Sequence, residues 1–193
     1  MLNIKPITLT TDHIQLEILN QSHFNELNIV SQDERIWKYT TANVMGDGFA
    51  RWFNKAIQDF QAGNCLPFVV RRLSDKKLLG STRYYHIDRR HHRLCIGYTW
   101  LIPEVWETYV NSECKYLLLK HAFEDLNVNR VEFMADARNL RSRAAIKKLG
   151  AREEGILRQH MILENGYVRD SIVFSIIKSE WPEIKMAFLK KFK

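Results

Sequence analysis

The chain has 193 residues, 46% of them hydrophobic and 26% charged, which is the balance of a globular protein with a substantial core. No apolar run approaches the roughly 20 residues that cross a bilayer, and residues 1–13 lack the apolar stretch of a secretory signal. We therefore expect a cytoplasmic protein without a membrane partner. The net charge of +7 would suit a nucleic acid or a polyanionic small molecule, but the basic residues are scattered, and no nucleic-acid partner is expected.

The chain has three cysteines, Cys65, Cys95 and Cys114. An odd number without CxxC spacing argues against a disulfide framework or a structural zinc site. We expect three reduced thiols in or near the core. The adjacent His91 and His92 lie on a predicted turn, where their side chains would point apart, so no metal is expected.

The N-terminal third predicts one strand and two helices. Residues 13–19 alternate between apolar and polar side chains, as a strand does. Residues 21–30 and 47–61 carry apolar side chains at helical spacing. Gly63 and Asn64 end the second of these helices.

Three strands are predicted next, over residues 66–73, 78–87 and 93–102. Short polar turns join them, so they form adjacent antiparallel hairpins. Pro103 ends the third strand because proline has no backbone N–H to donate.

The pattern then changes to strand, helix, strand. Residues 112–126 form an apolar stripe at helical spacing, with Asn111 or Ser112 as the predicted N-cap. Residues 130–137 predict a strand, which a right-handed crossover would place parallel to strand 93–102.

The C-terminal part predicts one more helix and a hairpin. Residues 139–150 form the helix, with Asn139 as N-cap and Gly150 as its C-terminal stop. Strands 151–164 and 167–177 are joined by an Asn-Gly turn. The expected fold class is α/β (α+β): a mixed, mostly antiparallel sheet of about seven strands with one parallel crossover and about four flanking helices.

Residues 139–158 read N-x-x-S-x-x-A-I-x-K-L-G-A-x-x-E-G-x-L-R. With the flanking runs, this segment resembles the GNAT superfamily of acyl-CoA-dependent N-acyltransferases. More narrowly, it is similar to the Rim-type branch, which includes ribosomal-protein N-terminal acetyltransferases. The resemblance is strong over residues 96–181 and looser over 13–95.

The resemblance implies one GNAT domain over residues 1–193. Its sheet would be splayed between strands 93–102 and 130–137. The parts implied are acceptor-side helices at about 21–62, an acyl-CoA core at about 93–158 and a C-terminal hairpin at about 151–178.

In that superfamily the phosphate-binding loop reads Q/R-x-x-G-x-G/A. The aligned residues here run from Trp106 to Asn111, and the first position and both small positions are altered. Either backbone amides at the helix entrance hold the pyrophosphate, or the loop has lost the cofactor. Glu107 places a negative charge near the expected phosphates. The binding interpretation implies acetyl-CoA contacts at Thr108, Tyr109, Val110, Asn111 and Ser112.

The resemblance also places the pantetheine arm of acetyl-CoA beside the backbone of Trp100, Leu101 and Ile102. It implies a hydrogen bond from Asn139 to the pantetheine and a position near the thioester sulfur for Ser142. Alternatively, Asn139 is only an N-cap and Ser142 is only a small residue at a helix–sheet contact.

Acyl transfer to an amine needs a neutral nitrogen, a site for the oxyanion and a proton for the leaving thiolate. Ser142 is the candidate proton donor. Where the Rim-type pattern has an acid, this sequence has Met161, so the neighbouring His160 is the candidate base; otherwise it is a surface or packing residue. A weak base favours α-amines, whose pKa of about 8 lies well below the 10.4 or so of lysine.

Trp37 and Tyr39 resemble the region that lines the acceptor pocket in the family, although they also fit ordinary helix packing. We therefore predict an N-acetyltransferase that transfers acetyl from acetyl-CoA to a primary amine, a protein N-terminus or a small molecule, by direct attack in a ternary complex. A homodimer is possible. The alternatives are a catalytically impaired GNAT-fold module that binds acyl-CoA or a protein partner, and a nucleic-acid-binding protein.

Overall fold

The structure of the protein, a computed structural model, describes residues 2–42 and 44–191. Within them a single sheet contains eight strands in the order β1-β2-β3-β4-β5-β6-β8-β7. Only β5 and β6 are parallel neighbours among these strands; all other pairs are antiparallel. The strands are β1 (Leu9–Thr10), β2 (Ile14–Ile18), β3 (Leu66–Arg72), β4 (Leu78–Asp88), β5 (Arg93–Leu101), β6 (Arg130–Asp136), β7 (Arg152–Ile162) and β8 (Val168–Ile177).

Six α-helices flank this sheet in the described part of the chain. None of them combines the length and the apolar character needed to cross a membrane. The fourth continues into one π-helical stretch, His121–Asp125. The helices are α1 (Phe24–Val30), α2 (Glu34–Trp37), α3 (Gly48–Gln61), α4 (Tyr109–Lys120), α5 (Leu140–Lys148) and α6 (Trp181–Lys191).

The structure confirms the predicted fold class, the antiparallel meander β3-β4-β5 and the parallel crossover to β6. The elements that sequence patterns missed are β1, α2 and α6. A two-residue strand and a four-residue helix are too short to display a period. The sheet therefore has one strand more, and the fold two helices more, than expected.

Helices pack on both faces of the sheet. On the face that we call the α4 face, Tyr84, Leu94 and Ile96 belong to a large core shared with α4, α5 and α6. On the opposite face, called the α3 face, Trp100 joins a smaller core with Trp52 and other residues of α1 to α3. The three cysteines are buried with free thiols, as predicted.

The sheet opens between its two parallel strands. β5 pairs with β6 only where Arg93 to Cys95 face Arg130 to Glu132. Beyond those residues β6 keeps its pairing with β8 as far as Asp136, whereas β5 stays with β4. The carboxyl ends of β5 and β6 therefore diverge, and the gap between them lies beside the start of α4.

Candidate active site

Helix α4 begins at Tyr109, earlier than the sequence predicted. Its N-cap is Thr108, whose Oγ1 accepts a hydrogen bond from the Val110 amide at 3.4 Å and donates one to the Val105 carbonyl at 2.8 Å. The prediction of Asn111 or Ser112 as N-cap was wrong. Thr108 is itself a good cap, and the buried Val110 anchors the first turn in the core. The cap occupies the Val110 amide, and the amides of Tyr109 and Asn111 remain in the first turn for a ligand.

The loop before α4 makes its turn without glycine. Glu107 adopts the left-handed conformation, with φ of +61°. Arg141, on the first turn of α5, stacks on the Trp106 ring with its guanidinium carbon 3.4 Å from the ring centroid. Burial lowers the pKa of Arg141, and Glu107 acts against that shift. The Arg141 guanidinium therefore lies near Glu107, and this was not predicted because α5 is distant from the loop along the chain.

Of the three residues predicted to contact pantetheine, Trp100 to Ile102, one points its backbone polar groups into the gap. Trp100 pairs with Ser81 of β4, and the Ile102 amide donates to the Leu79 carbonyl at 2.8 Å. Because neighbouring residues of a strand point their polar groups to opposite edges, Leu101 faces the gap. Its carbonyl accepts a hydrogen bond from Trp106 Nε1 at 2.7 Å.

β5 carries a bulge at Tyr98. Ser81 pairs with Trp100 and Arg83 with Gly97, so β5 has one residue more than β4 between these pairs, and Tyr98 has φ of +49°. On the α4 face, Lys115 Nζ donates to Thr99 Oγ1 at 2.6 Å. Burial lowers the pKa of Lys115 to about 8. A buried lysine of α4 thus contacts the residue after Tyr98 in the bulge, from the α4 face of the sheet.

Asn139 caps helix α5 as predicted. Its Oδ1 accepts a hydrogen bond from the backbone amide of Ser142 at 3.0 Å. The side-chain nitrogen of Asn139 is not used by this cap, so the cap and a contact to a ligand are compatible. Gly150 ends the helix with φ of +93°, also as predicted. Ser142 is half-buried on the first turn of α5.

The two candidate acceptor residues differ in their surroundings. Trp37 is buried, its ring lies 5.3 Å from that of Trp100, and its Nε1 donates to the Ser31 carbonyl at 2.7 Å. These contacts are those of a packing residue. Tyr39 is half-buried and faces the guanidinium of Arg138 at 5.7 Å. Tyr39 therefore lies close to the end of β6.

His160 lies on β7 within 3.0 Å of the Ser171 hydroxyl, measured from Nδ1. Ser171 is a buried residue of β8, and it pairs with Asp136, the last residue of β6. His160 is therefore level with the carboxyl end of β6, beyond the point where β5 and β6 separate. No hydrogen bond joins it to Ser142 among the described residues.

Two glutamates that precede the candidate base are held in ion pairs. Glu154 accepts hydrogen bonds from Arg130 and from the Ser175 hydroxyl, and the Arg130 contact lowers its pKa to about 2. Glu153 pairs with Lys147 at 2.8 Å. Both carboxylates are therefore weak bases that tie strands and helices together.

An arginine and a carboxylate form an ion pair at the end of β6, and no sequence pattern marks either residue. Arg138 donates to the buried Asp136 through Nε and Nη2, at 3.0 and 2.9 Å. Burial alone would raise the pKa of Asp136, but the hydrogen bonds from Arg138 outweigh it and lower the pKa. The guanidinium of Arg138 also lies 3.4 Å from the Tyr167 ring centroid. Asp136 is therefore an ionised carboxylate held by Arg138.

The sheet opens between two parallel strands, beside a helix entrance whose amides and dipole favour an anionic group. A family model described as "Acetyltransferase (GNAT) domain" matches residues 13–152. The chain belongs to this acetyltransferase family, as the sequence resemblance implied.

Relatives and solved structures agree with this assignment. The Bacillus subtilis protein "Uncharacterized N-acetyltransferase YoaA" is 32% identical over 119 residues, which are 62% of this chain and 66%, just under two thirds, of YoaA. A GCN5-related N-acetyltransferase from Brucella melitensis has a TM-score of 0.89 at 27% identity, with 97% of this chain and 86% of that chain covered. Mycobacterium smegmatis RimJ, solved in complex with CoA-disulfide, shares the fold with a TM-score of 0.81 at 18% identity, over 96% and 94% of the two chains.

Proposed function

We propose that this chain transfers the acetyl group of acetyl-CoA to a primary amine, by direct attack in a ternary complex. The observation that carries the proposal is the gap between β5 and β6, whose pairing ends at Cys95 and Glu132 next to the entrance of α4. An extended pantetheine arm needs such a gap, and a pyrophosphate needs such a helix entrance.

The residues around the gap suit this donor. The amides of Tyr109 and Asn111 lie in the first turn of α4, where N–H groups without a helical partner and the helix dipole favour phosphate. Arg141 supplies a positive charge that offsets Glu107. Leu101 offers its amide toward the gap, and Asn139 retains a side-chain N–H for the pantetheine.

The reaction requires few groups. The amine nitrogen attacks the thioester carbonyl carbon, and the carbon–sulfur bond breaks as the new carbon–nitrogen bond forms. A backbone N–H of the bulged β5 stabilises the oxyanion. The Ser142 hydroxyl relays a proton to the leaving thiolate and regains one from water, so that serine ends the step as a neutral hydroxyl. His160 accepts the proton that the amine gives up, through water. Holding both reactants in line supplies about 7–11 kcal/mol of the barrier reduction.

The proposal is tested by two independent measurements. Calorimetry measures acetyl-CoA binding, and release of the CoA thiol measures turnover over a panel of amines and N-terminal peptides. We expect binding, and faster turnover of α-amines than of lysine side chains at neutral pH. No turnover with any acceptor, together with no affinity for acetyl-CoA, would refute the proposal.

Two substitutions test the catalytic roles. Ser142→Ala and His160→Gln each lower kcat by about 10²-fold if the residues transfer protons, while acetyl-CoA affinity stays the same. His91→Gln, on the exposed turn before β5, is the matched control and leaves kcat unchanged. If kcat is equal in all three variants, water alone carries the protons and the assignment of Ser142 and His160 is wrong.

A second candidate function is a GNAT-fold module that binds acyl-CoA or a protein without turnover. The hydrogen bond from Trp106 to the Leu101 carbonyl favours it, because this carbonyl faces the gap and already has a partner. Glu107 next to the expected phosphates favours it as well. Binding of acetyl-CoA with no CoA release on the full acceptor panel would select this candidate.

A further inference from the structure

Hydrogen-bond donors without acceptors accumulate on the α3 face of the sheet, around the bulge of β5. Five buried side-chain nitrogens lack a hydrogen-bond partner among the described residues. Four of the five belong to Arg83, Trp100 and Arg169, and the fifth belongs to Arg143 on α5. Because buried polar groups are almost always paired, this concentration at one place indicates a ligand rich in acceptor oxygens.

Arg83 is the centre of this group. It lies on β4 opposite the bulge and is 4% exposed. Its guanidinium carbon is 4.3 Å from the ring centroid of Tyr98 and 5.3 Å from that of Trp52. Trp100, whose Nε1 is also unpaired, packs against the same Trp52 ring at 5.7 Å. The unpaired donors of Arg83 and Trp100 therefore flank one tryptophan.

The charge of Arg83 is not balanced by its neighbours. Asp59 is near enough to influence it, but the Asp59 carboxylate already accepts a hydrogen bond from Lys55 at 2.6 Å. Cys65 lies beside Arg83, and burial raises the pKa of this thiol, so the thiol is neutral. Burial lowers the pKa of Arg83 itself. A buried guanidinium in these surroundings calls for an external anion.

Arg169 adds a second cation close to the bulge. It is 6% exposed on β8, and both Tyr85 and Tyr98 are near enough to influence its charge. Its nearest carboxylate oxygen belongs to Asp136, at 3.8 Å from Nε. That carboxylate is already gripped by Arg138. One carboxylate thus faces two arginines here, whereas in the described part of the chain no carboxylate forms an ion pair with Arg83.

The geometry of the free donors selects the kind of anion. The unpaired atoms of Arg83 are Nε and Nη2, which lie along one edge of the guanidinium and donate in parallel. Arg138 uses the same two atoms to hold both oxygens of Asp136. A planar carboxylate fits this edge, and the rings of Trp52 and Tyr98 beside it suit a flat group.

We propose that the acceptor is a primary amine that also carries a carboxylate, and that this carboxylate binds Arg83, with Arg169 supplying further positive charge. The proposal rests on the proposed acetyl transfer and names its substrate class. Tyr98, about half exposed, covers Arg83 and belongs to the bulge itself. A carboxylate held at Arg83 therefore places the amine beside the bulge of β5, next to the gap between β5 and β6.

The first experiment compares acceptors that differ only in charge. β-Alanine is compared with β-alaninamide, and peptides that begin with Glu are compared with the same peptides beginning with Gln, with rates expressed per neutral amine. We expect kcat/KM to be at least about tenfold higher for the acceptor that carries the carboxylate than for its uncharged partner. The pair that shows the preference distinguishes a free amino acid from a peptide side chain. Equal rates within both pairs, or a higher rate with phosphoethanolamine, would overturn the proposal.

Variants assign the preference to the arginine. Arg83→Gln is expected to reduce the preference to less than about threefold through a higher KM for the carboxylate acceptor, and Arg83→Lys to restore part of it. Arg90→Gln, on the exposed turn before β5, keeps the full preference. Circular dichroism checks the fold of each variant. If Arg83→Gln folds and retains the preference, the role of Arg83 is structural and the proposal fails.

A binding measurement separates this proposal from the proposed function. Succinate is titrated into the protein while tryptophan fluorescence is followed, because Trp52 and Trp100 flank Arg83, and succinamide is the uncharged control. Saturable change with succinate alone, abolished in Arg83→Gln, supports the anion site even if no acceptor is turned over. No change with succinate, or equal change with succinamide, overturns the site even if acetyl transfer is active.

Discussion

Lys115 is a buried cation whose chemistry differs from that of the arginines. It is 5% exposed, and the hydrogen-bond partners of its ammonium group among the described residues are the hydroxyls of Thr99 and Thr82, at 2.6 and 3.4 Å. Desolvation lowers its pKa from 10.5 to about 8. At pH 7 the folded protein therefore holds a charged lysine in a desolvated site, which lowers the free energy of unfolding.

This cost predicts an unusual dependence of stability on pH. Below about pH 8, folded and unfolded chains both carry the proton, and the full cost applies. Between about pH 8 and pH 10.5 the folded chain has released a proton that the unfolded chain still holds, so the free energy of unfolding rises with pH. Lys115→Met is expected to add about 3 kcal/mol of stability at pH 7 and to remove this rise. Guanidinium denaturation from pH 6 to 10.5 measures both.

The control for this prediction is Lys120→Met, an exposed lysine at the end of the same helix. It leaves both the stability and its pH dependence nearly unchanged. In Lys115→Met the hydroxyls of Thr82 and Thr99 still bond each other at 2.8 Å, so no unpaired group is created. A loss of stability in Lys115→Met would show that the ammonium holds the bulge in place and that its bonds outweigh desolvation.

At the scale of elements, the loop before α4, which we propose binds phosphate, makes its turn without glycine. Glu107 takes the left-handed conformation that glycine adopts without strain. Glu107→Gly is expected to add about 1 kcal/mol of stability and to strengthen acetyl-CoA binding. Glu107→Gln keeps the strain but removes the charge, so it strengthens binding without adding stability. Thermal unfolding and calorimetry on both variants separate strain from charge.

Weaker acetyl-CoA binding in both variants would assign a different role to Glu107. If Glu107→Gly and Glu107→Gln both weaken acetyl-CoA binding, the carboxylate of Glu107 is required to position Arg141, the guanidinium that it influences. The electrostatic argument against Glu107 would then be wrong.

The start of α4 gives a second prediction about the same element. Thr108→Ala removes the N-cap and is expected to cost about 1 kcal/mol of stability, with Thr108→Ser retaining most of it. Asn111→Ala, at the position that the sequence suggested for the cap, leaves stability unchanged within about 0.5 kcal/mol. Chemical denaturation of the three variants measures this. A larger loss in Asn111→Ala than in Thr108→Ala would place the cap where the sequence analysis placed it.

These elements show why periodicity predicts the centre of a helix better than its start. The apolar stripe of α4 was visible in the sequence, but Thr108, Asn111 and Ser112 are all capable caps, and only the packing of Val110 selects among them. The hairpin of β7 and β8 was predicted from an Asn-Gly turn, which acts locally. That β8, and not β7, pairs with β6 depends on the whole sheet.

At the scale of the whole molecule, sequence patterns suggested residues for binding acetyl-CoA, which stay predictions, but not the residues that we propose bind the acceptor. The donor side follows residues 96–158, a continuous stretch with a long motif. The unpaired hydrogen-bond donors that we propose bind the acceptor belong to Arg83, Trp100 and Arg169, on three strands of the sheet. Nothing in the spacing of these residues marks them, since their proximity arises from the bulge of β5 and from β8 inserting next to β6. Only tertiary structure brings the unpaired donors together.

The overall charge of +7 raises a question about the capture of an anionic donor. The dense basic turn at residues 89–93 precedes β5, whereas the α4 entrance follows it. Nine residues of strand separate the two, which is about 30 Å. The Debye length is about 10 Å at 0.1 M salt and about 30 Å at 0.01 M. At physiological salt, only cations close to the loop, Arg141 above all, can steer acetyl-CoA.

Stopped-flow fluorescence of Trp106 with acetyl-CoA tests this. Arg141→Gln is expected to slow association several-fold at both 0.01 M and 0.15 M salt, because its charge is within one Debye length of the loop in either case. Arg90→Gln slows association only at 0.01 M, where its charge still reaches the loop. Dissociation rates change in Arg141→Gln and stay constant in Arg90→Gln, since Arg141 lies against Trp106 of the loop that we propose binds the phosphates. Equal salt dependence of the two variants would show that the field of the whole molecule, and not the charge at the loop, captures the donor.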